Sequence, residues 1–269
     1  MELPIAQESY RPSNAALTRA IKRAAVVLGR MAGEEAALTG ATAITNADRP
    51  DVRVANFAGE VHLPDGADAN EVVGEIQTHF REQNATCHLL DGAEEEWPAE
   101  LAAALEAADY TPRTKHVFLL SKFEPADDPG SHQIIPARAA YGEIRDLYLQ
   151  MATSEFNADE QLAKNLADAM IDRLDEPRLE LFMARVDQKP AALAGLVTLG
   201  QIGVIVPAYS APAARGTGAG KAVMQHTLEY CHRAQFEQVI VDRSDGCYAI
   251  PFYERLGFEK ISSYVKYYA

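Results

Sequence analysis

Cysteine is scarce in this chain: Cys87, Cys231 and Cys247 are the only three in 269 residues. An odd, widely spaced set makes no disulfide framework and offers no CxxC or Cys/His metal spacing, so a reduced, cytoplasmic setting and no metal are expected. Basic residues are also few, with 25 Lys and Arg against 39 Asp and Glu, a formal charge of −14. Nucleic acid demands a basic footprint and an anionic membrane surface attracts polybasic segments, so neither is expected as a partner. An acidic field suits a cationic or amine substrate. The opening MELPIAQESYRP has no basic region followed by an apolar core, so no signal peptide is expected. Residues 190–214 carry no charge and are long enough to span a bilayer. Gly195, Gly200, Gln201, Gly203 and Pro207 divide them instead into two strand-sized halves turning at Gly200-Gln201.

The periodicities that are present order the chain. Leu17, Ile21, Ala24, Ala25 and Leu28 recur at helical spacing within residues 14–32, stopped by Gly33. A polar, irregular stretch runs to about Arg49; residues 52–63 alternate like a strand. Residues 68–83 read as a helix capped by Asp68 with Glu71 completing a capping box. A strand at 86–91, a helix at 98–110 and a strand at 115–121 follow. Pro, Asp and Gly crowd residues 122–137, so a linker at 123–136 is expected between a segment 1–122 and a segment 137–269. Beyond it come helices at 141–152 and 158–174, strands at 179–186, 191–199 and 201–210, a helix at 220–234, a strand at 238–244, a short helix within 248–258 and a strand at 263–268. Pro207 gives no ladder donor, so its strand should bulge or part there.

SAPAARGTGAGKAV, residues 210–223, places glycines and two basic residues between a strand and a helix, as phosphate-binding loops do. A P-loop would need glycine where Arg215 stands and a hydroxyl where Ala222 stands. A dinucleotide fingerprint would need glycine at Lys221, or glycine or alanine at Val223. What remains is R-x-x-G-x-G, made by Arg215, Gly218 and Gly220. It resembles the acetyl-CoA loop of the GNAT family of N-acetyltransferases, with Pro212 in register and Ser210 where an apolar residue is usual. YAIPFYERLGF, residues 248–258, is similar to the family's later A-x-x-x-Y-x-x-x-G-F segment, matched by Ala249, Tyr253, Gly257 and Phe258. One departure is Gly246, where the family often has asparagine.

The resemblance covers residues 137–269. It implies an α/β (α+β) fold: a mixed, mostly antiparallel sheet with helices on both faces, ending in a helix and a strand pair. It implies acetyl-CoA as cosubstrate, its diphosphate held by Arg215, Gly216, Thr217, Gly218, Ala219, Gly220 and Lys221, and its pantetheine arm paired with the backbone of Ala208, Tyr209 and Ser210. Tyr253 would be the catalytic acid that protonates the departing thiolate. The acceptor would be a small-molecule or peptide amine; Asp242, Asp245 and Glu155 are candidate bases. Residues 1–122 repeat the element order without the glycine loop and read as a degenerate second copy, so two such domains in tandem are expected. An acyl-CoA-binding regulatory module without turnover is the alternative, and a nucleoside-triphosphate enzyme a third.

Overall fold

The computed structural model describes residues 12–94, 96–123 and 132–269. Residues 1–11, which bear on a leader, and most of the expected linker lie outside them.

Strands β1 (Glu34–Leu38), β2 (Ala41–Thr45), β3 (Phe57–Val61), β4 (Leu89–Gly92), β5 (Thr111–Leu120), β6 (Gln133–Pro136), β7 (Leu179–Val186), β8 (Lys189–Leu199), β9 (Ile202–Ser210), β10 (Gln238–Ser244) and β11 (Phe258–Tyr268) join in one sheet. Its order is β1-β2-β3-β4-β11-β5-β10-β9-β8-β7-β6. All neighbours are antiparallel except β3 with β4 and β9 with β10.

Helices α1 (Asn14–Gly29), α2 (Ala69–Glu82), α3 (Ala99–Ala107), α4 (Tyr141–Glu155), α5 (Glu160–Arg173), α6 (Ala219–Arg233) and α7 (Ile250–Arg255) cover both faces. The caps follow from the sequence. The Ser13 side chain accepts from the Ala16 amide, and Asp68 accepts from the Asn70 and Glu71 amides, satisfying donors the first turn would leave free. Asp159 does the same for α5.

Side chains alternate across strands, and this sorts the helices by face. Val117 and Leu119 on β5 and Ile240 on β10 pack with α1, α4 and α5, while Phe118 and Val241 pack with α6 and α7. On β11, Tyr264 joins the first group and Tyr267 joins a third cluster with α2 and α3. Leu17, Ile21, Ala24 and Leu28 of α1 lie in the same cluster as Leu147, Val204 and Ile240. A fully buried leucine contributes about 1.5–3 kcal/mol, so α1 is anchored to the core of the C-terminal segment.

The two segments have the same plan. In each, three antiparallel strands lead to a helix, a parallel strand, a short helix and a further strand. The further strands have traded places: β5 lies against β10 and β11 lies against β4, and the two pair with each other through the middle of the sheet.

Three local expectations are corrected. Residues 34–45, read as irregular, are the hairpin β1–β2. Residues 133–136, read as linker, form the edge strand β6 against β7. The expected closing strand pair is one 11-residue strand, β11, whose hairpin-like partner is β5. A register shift between Lys260 and Ser262 lets β11 change which residues face each side. The uncharged stretch 190–214 is largely β8 and β9, turning at Gly200 with φ 61°. Among the described residues no helix is long and apolar enough to cross a membrane.

Candidate active site

Strands β9 and β10 pair only at Ile202–Gln238, Gly203–Val239 and Val204–Ile240. Beyond these rungs they part. On its other side β9 keeps β8, but the register shifts between the rungs Leu196–Ile205 and Ala194–Ala208, so Val206 and Pro207 form the bulge expected from the proline. β10 keeps β5 as far as Ser244–Lys115. The result is a wedge-shaped opening in an otherwise continuous sheet. Ala208, Tyr209 and Ser210 pair with β8 along one edge, so their backbone groups on the other edge face the opening. The Tyr209 side chain is buried and its hydroxyl lies 3.1 Å from Ser154 Oγ.

The glycine loop enters this wedge from the end of β9. Pro212–Ala214 make a single 3₁₀ turn, and the amides of Arg215 and Thr217 are used inside the loop, on the carbonyls of Pro212 and Ala214. Gly216 and Gly218 have φ 83° and 87°, a left-handed conformation that only glycine takes without cost. Gly218 is the N-cap of α6 and contributes no side-chain cap. The Ala219 amide takes Thr217 Oγ1 at 3.4 Å. The amides of Gly216, Gly218, Gly220 and Lys221 have no acceptor among the described residues. A Cβ on Gly220 would stand 2.4 Å from Ser210 Oγ, so the bare glycine is what lets the helix start close to the strand. Unused amides at a helix N-terminus, with Lys221 in the first turn and Arg215 before it, make a site for an anion. His132 Nε2 donates to the Thr217 carbonyl at 3.1 Å, fixing the loop from the β6 side.

Two further residues bracket the wedge. The Arg215 guanidinium pairs with the carboxylate of Glu155, at the C-terminal end of α4. The other oxygen of that carboxylate accepts from the Tyr248 hydroxyl at 3.2 Å. Tyr253, on α7, is 1 % exposed, packed edge-on to Phe252 and Phe258. Its hydroxyl accepts from the Arg243 guanidinium, which also donates to the Asp242 carbonyl at 2.6 Å. Burial pulls Arg243 below its ordinary pKa, and the Asp242 charge opposes this.

Asp242 lies on the α1 face of β10. Burial alone would push its carboxyl up, but Lys115, Lys266 and Arg243, with a hydrogen bond from Tyr264, hold it below the ordinary value. Asp245 is exposed and bonded to His116 Nε2 at 3.0 Å. The structure thus pairs Glu155 with the loop, whereas Asp242 bonds to Tyr264 and pairs with Lys115, and Asp245 bonds to His116. His226 packs edge-on to Phe182 and His232 stacks beside Phe123.

Residues 142–258 match the model of the acetyltransferase (GNAT) family. This segment is a GNAT acetyltransferase domain. In fold the chain is similar to a GCN5-related N-acetyltransferase from Kribbella flavida, at 14 % identity and TM-score 0.61 over 96 % of each chain. It is also similar to a functionally unknown conserved protein from Staphylococcus epidermidis ATCC 12228, at 13 % identity and TM-score 0.59, over 87 % of this chain and 93 % of that one. A tandem GNAT protein from the clavulanic acid biosynthesis pathway is similar at 15 % identity and TM-score 0.51, over 74 % of this chain and 68 % of that one. No curated protein matches the sequence.

Within the GNAT domain the departure at Gly246 has a backbone reason. Gly246 has φ 68°, and asparagine is the other residue that tolerates the left-handed region. Gly257 has φ 90°, and a Cβ there would stand 2.1 Å from the Lys122 carbonyl oxygen, so the glycine of the G-F pair lets the end of β5 run against it.

The N-terminal segment lacks both devices of the GNAT wedge. β3 and β4 stay together to the rung Val61–Gly92, and the Ala93 amide extends the ladder to Val61. The N-terminus of α2 is occupied by the Asp68 carboxylate, whereas that of α6 is capped by a glycine. A carboxylate there consumes the amides and repels a phosphate. Reading the sequence missed Arg243 and Tyr248, because no spacing encodes their pairing with Tyr253 and Glu155.

Proposed function

We propose that the protein is an acetyl-CoA-dependent N-acetyltransferase acting on a primary amine. The observation that carries this reading is the wedge between β9 and β10, with four unused amides, Gly216, Gly218, Gly220 and Lys221, beside its open end. The fit to coenzyme A is chemical: a diphosphate wants converging N–H donors and cations, and a pantetheine arm wants a free strand edge. In this reading those amides, with Arg215 and Lys221, take the diphosphate, and the edge of Ala208–Ser210 aligns the arm and offers an amide to a developing oxyanion.

Bound acetyl-CoA supplies an activated acetyl thioester. Tyr253 accepts from Arg243, so its own O–H remains available to protonate the departing thiolate. The N-terminal segment, in this proposal, is a degenerate copy that completes the sheet and binds no coenzyme A. Cys87 and Cys231 are buried unpaired thiols, pushed up to about 12 by burial, which suits the cytoplasm.

One observation favours a second reading, an acyl-CoA-binding module without turnover: Tyr253 is almost wholly buried. Calorimetry with CoA, alongside thiol release from acetyl-CoA over an amine panel with mass detection, separates the two. Binding with release supports transfer; binding without release on any amine supports the module; no binding of CoA ends both.

A further inference from the structure

We propose that Glu155, bonded to Tyr248 at the mouth of the wedge, is the acceptor-recognition site of this domain, and that the acceptor is a diamine or polyamine. The proposal rests on the N-acetyltransferase reading above.

Among the described residues, three large apolar side chains are exposed: Tyr141 at 40 %, Phe156 at 52 % and Tyr248 at 76 %. One of them, Tyr248, meets a carboxylate. Tyr248 donates its hydroxyl to Glu155, and Phe156 is the next residue in the chain. An exposed aromatic ring bonded to a carboxylate attracts an ammonium group, the ring through its quadrupole and the carboxylate through charge. Glu155 also spans the mouth of the wedge. One of its oxygens holds Arg215, in the loop after β9, and the other holds Tyr248, after β10.

Arg215 is, with Lys221, a cation next to the unused amides. A guanidinium turned to a diphosphate gives up its carboxylate partner, so loading the loop leaves Glu155 with a charge to satisfy. A second cation entering beside the Tyr248 ring replaces it. In a chain with net charge −14, cationic molecules are also the ones drawn to the opening.

The chemistry then fixes how many nitrogens the acceptor has. The attacking amine must be neutral, so it is not the group held by Glu155. A second, protonated nitrogen is required. The neutral amine forms the C–N bond as the C–S bond breaks, losing one proton to solvent, while the thiolate gains one. The ammonium stays bound throughout.

The test compares 1,4-diaminobutane, butylamine and 4-aminobutanoate as acceptors with wild type, Glu155→Gln and Glu155→Asp, and measures CoA affinity by calorimetry. Wild type should show the lowest KM for the diamine. Glu155→Gln should raise that KM about tenfold or more and abolish the preference over butylamine, with partial recovery in Glu155→Asp. CoA affinity in Glu155→Gln should hold or tighten, because Arg215 is released. A diamine KM changed by less than about twofold, a wild-type preference for 4-aminobutanoate, or no turnover of the diamine by an enzyme that binds CoA overturns this assignment alone. Failure of wild type to bind CoA overturns the N-acetyltransferase reading and this one with it.

Discussion

Lys266 Nζ lies 2.7 Å from Oδ2 of Asp91, both side chains buried, on facing rungs of β11 and β4. Lys22 of α1 stands 3.9 Å from the other oxygen. The two ammonium groups flank the Tyr264 ring, whose hydroxyl donates to Asp242 at 3.0 Å. A line of charge thus crosses the seam where β11 enters the N-terminal half of the sheet. Burial would lower the pKa of Lys266, but the charges of Asp91 and Asp242 hold it above the ordinary lysine value.

Removing one partner of such a pair leaves a buried charge uncompensated. Asp91→Asn should lose about 3–5 kcal/mol, read from denaturant unfolding. Replacing Asp91 with Leu and Lys266 with Met together should recover most of that loss. An unchanged midpoint in Asp91→Asn would show that the seam does not depend on the pair.

Asp242 makes stability depend on pH in a defined direction. Its folded pKa is below 3.8, so it stabilises the protein at pH above that value and the contribution is lost as pH falls through the lower folded value. Asp242→Asn should therefore be less stable than wild type at neutral pH, by a gap that closes as acid is added below about pH 4. Unfolding midpoints across the acid range check this; a gap that widens in acid contradicts it.

Tyr253→Phe removes only the hydroxyl held by Arg243. Turnover should fall about 100-fold or more, the scale of a lost general acid, with CoA affinity unchanged. Equal rates for the two proteins would place the tyrosine in the packing between Phe252 and Phe258 and nowhere in the reaction.

Residues 137–269 produced alone lack β5, the strand that lies between β10 and β11. They should fail to give a soluble monomer, and adding residues 1–122 should restore one. A folded 137–269 monomer with full CoA affinity would mean that the exchanged strand is dispensable.

How far the sequence could be read follows from which interactions are local. β7 and β10 were legible to the residue, because their apolar runs are bounded by turn residues such as Asp187 and Gln188, both at positive φ. The hairpin β1–β2 was not, because an edge strand made of Glu, Ala and Leu with mostly exposed side chains carries almost no periodic signal. The N-terminal end of β11 was hidden for a related reason: Glu259, Lys260 and Ser263 are exposed. The loop at Arg215 was legible because phosphate binding imposes glycine at fixed offsets. The bridge of Glu155 to Tyr248, and the choice of β5 as the neighbour of β10, depend on chain segments far apart, and no spacing encodes them.

Because β11 separates β4 from β5, a ribosome exposes residues 111–120 long before either flanking neighbour has been translated. The nascent segment must wait with a long, partly apolar strand open on both sides. In that interval it can be captured by the same strand site on an adjacent nascent chain, yielding intertwined dimers whose subunits have borrowed each other's β5. Yield of the monomer should therefore depend on how thinly ribosomes load the message.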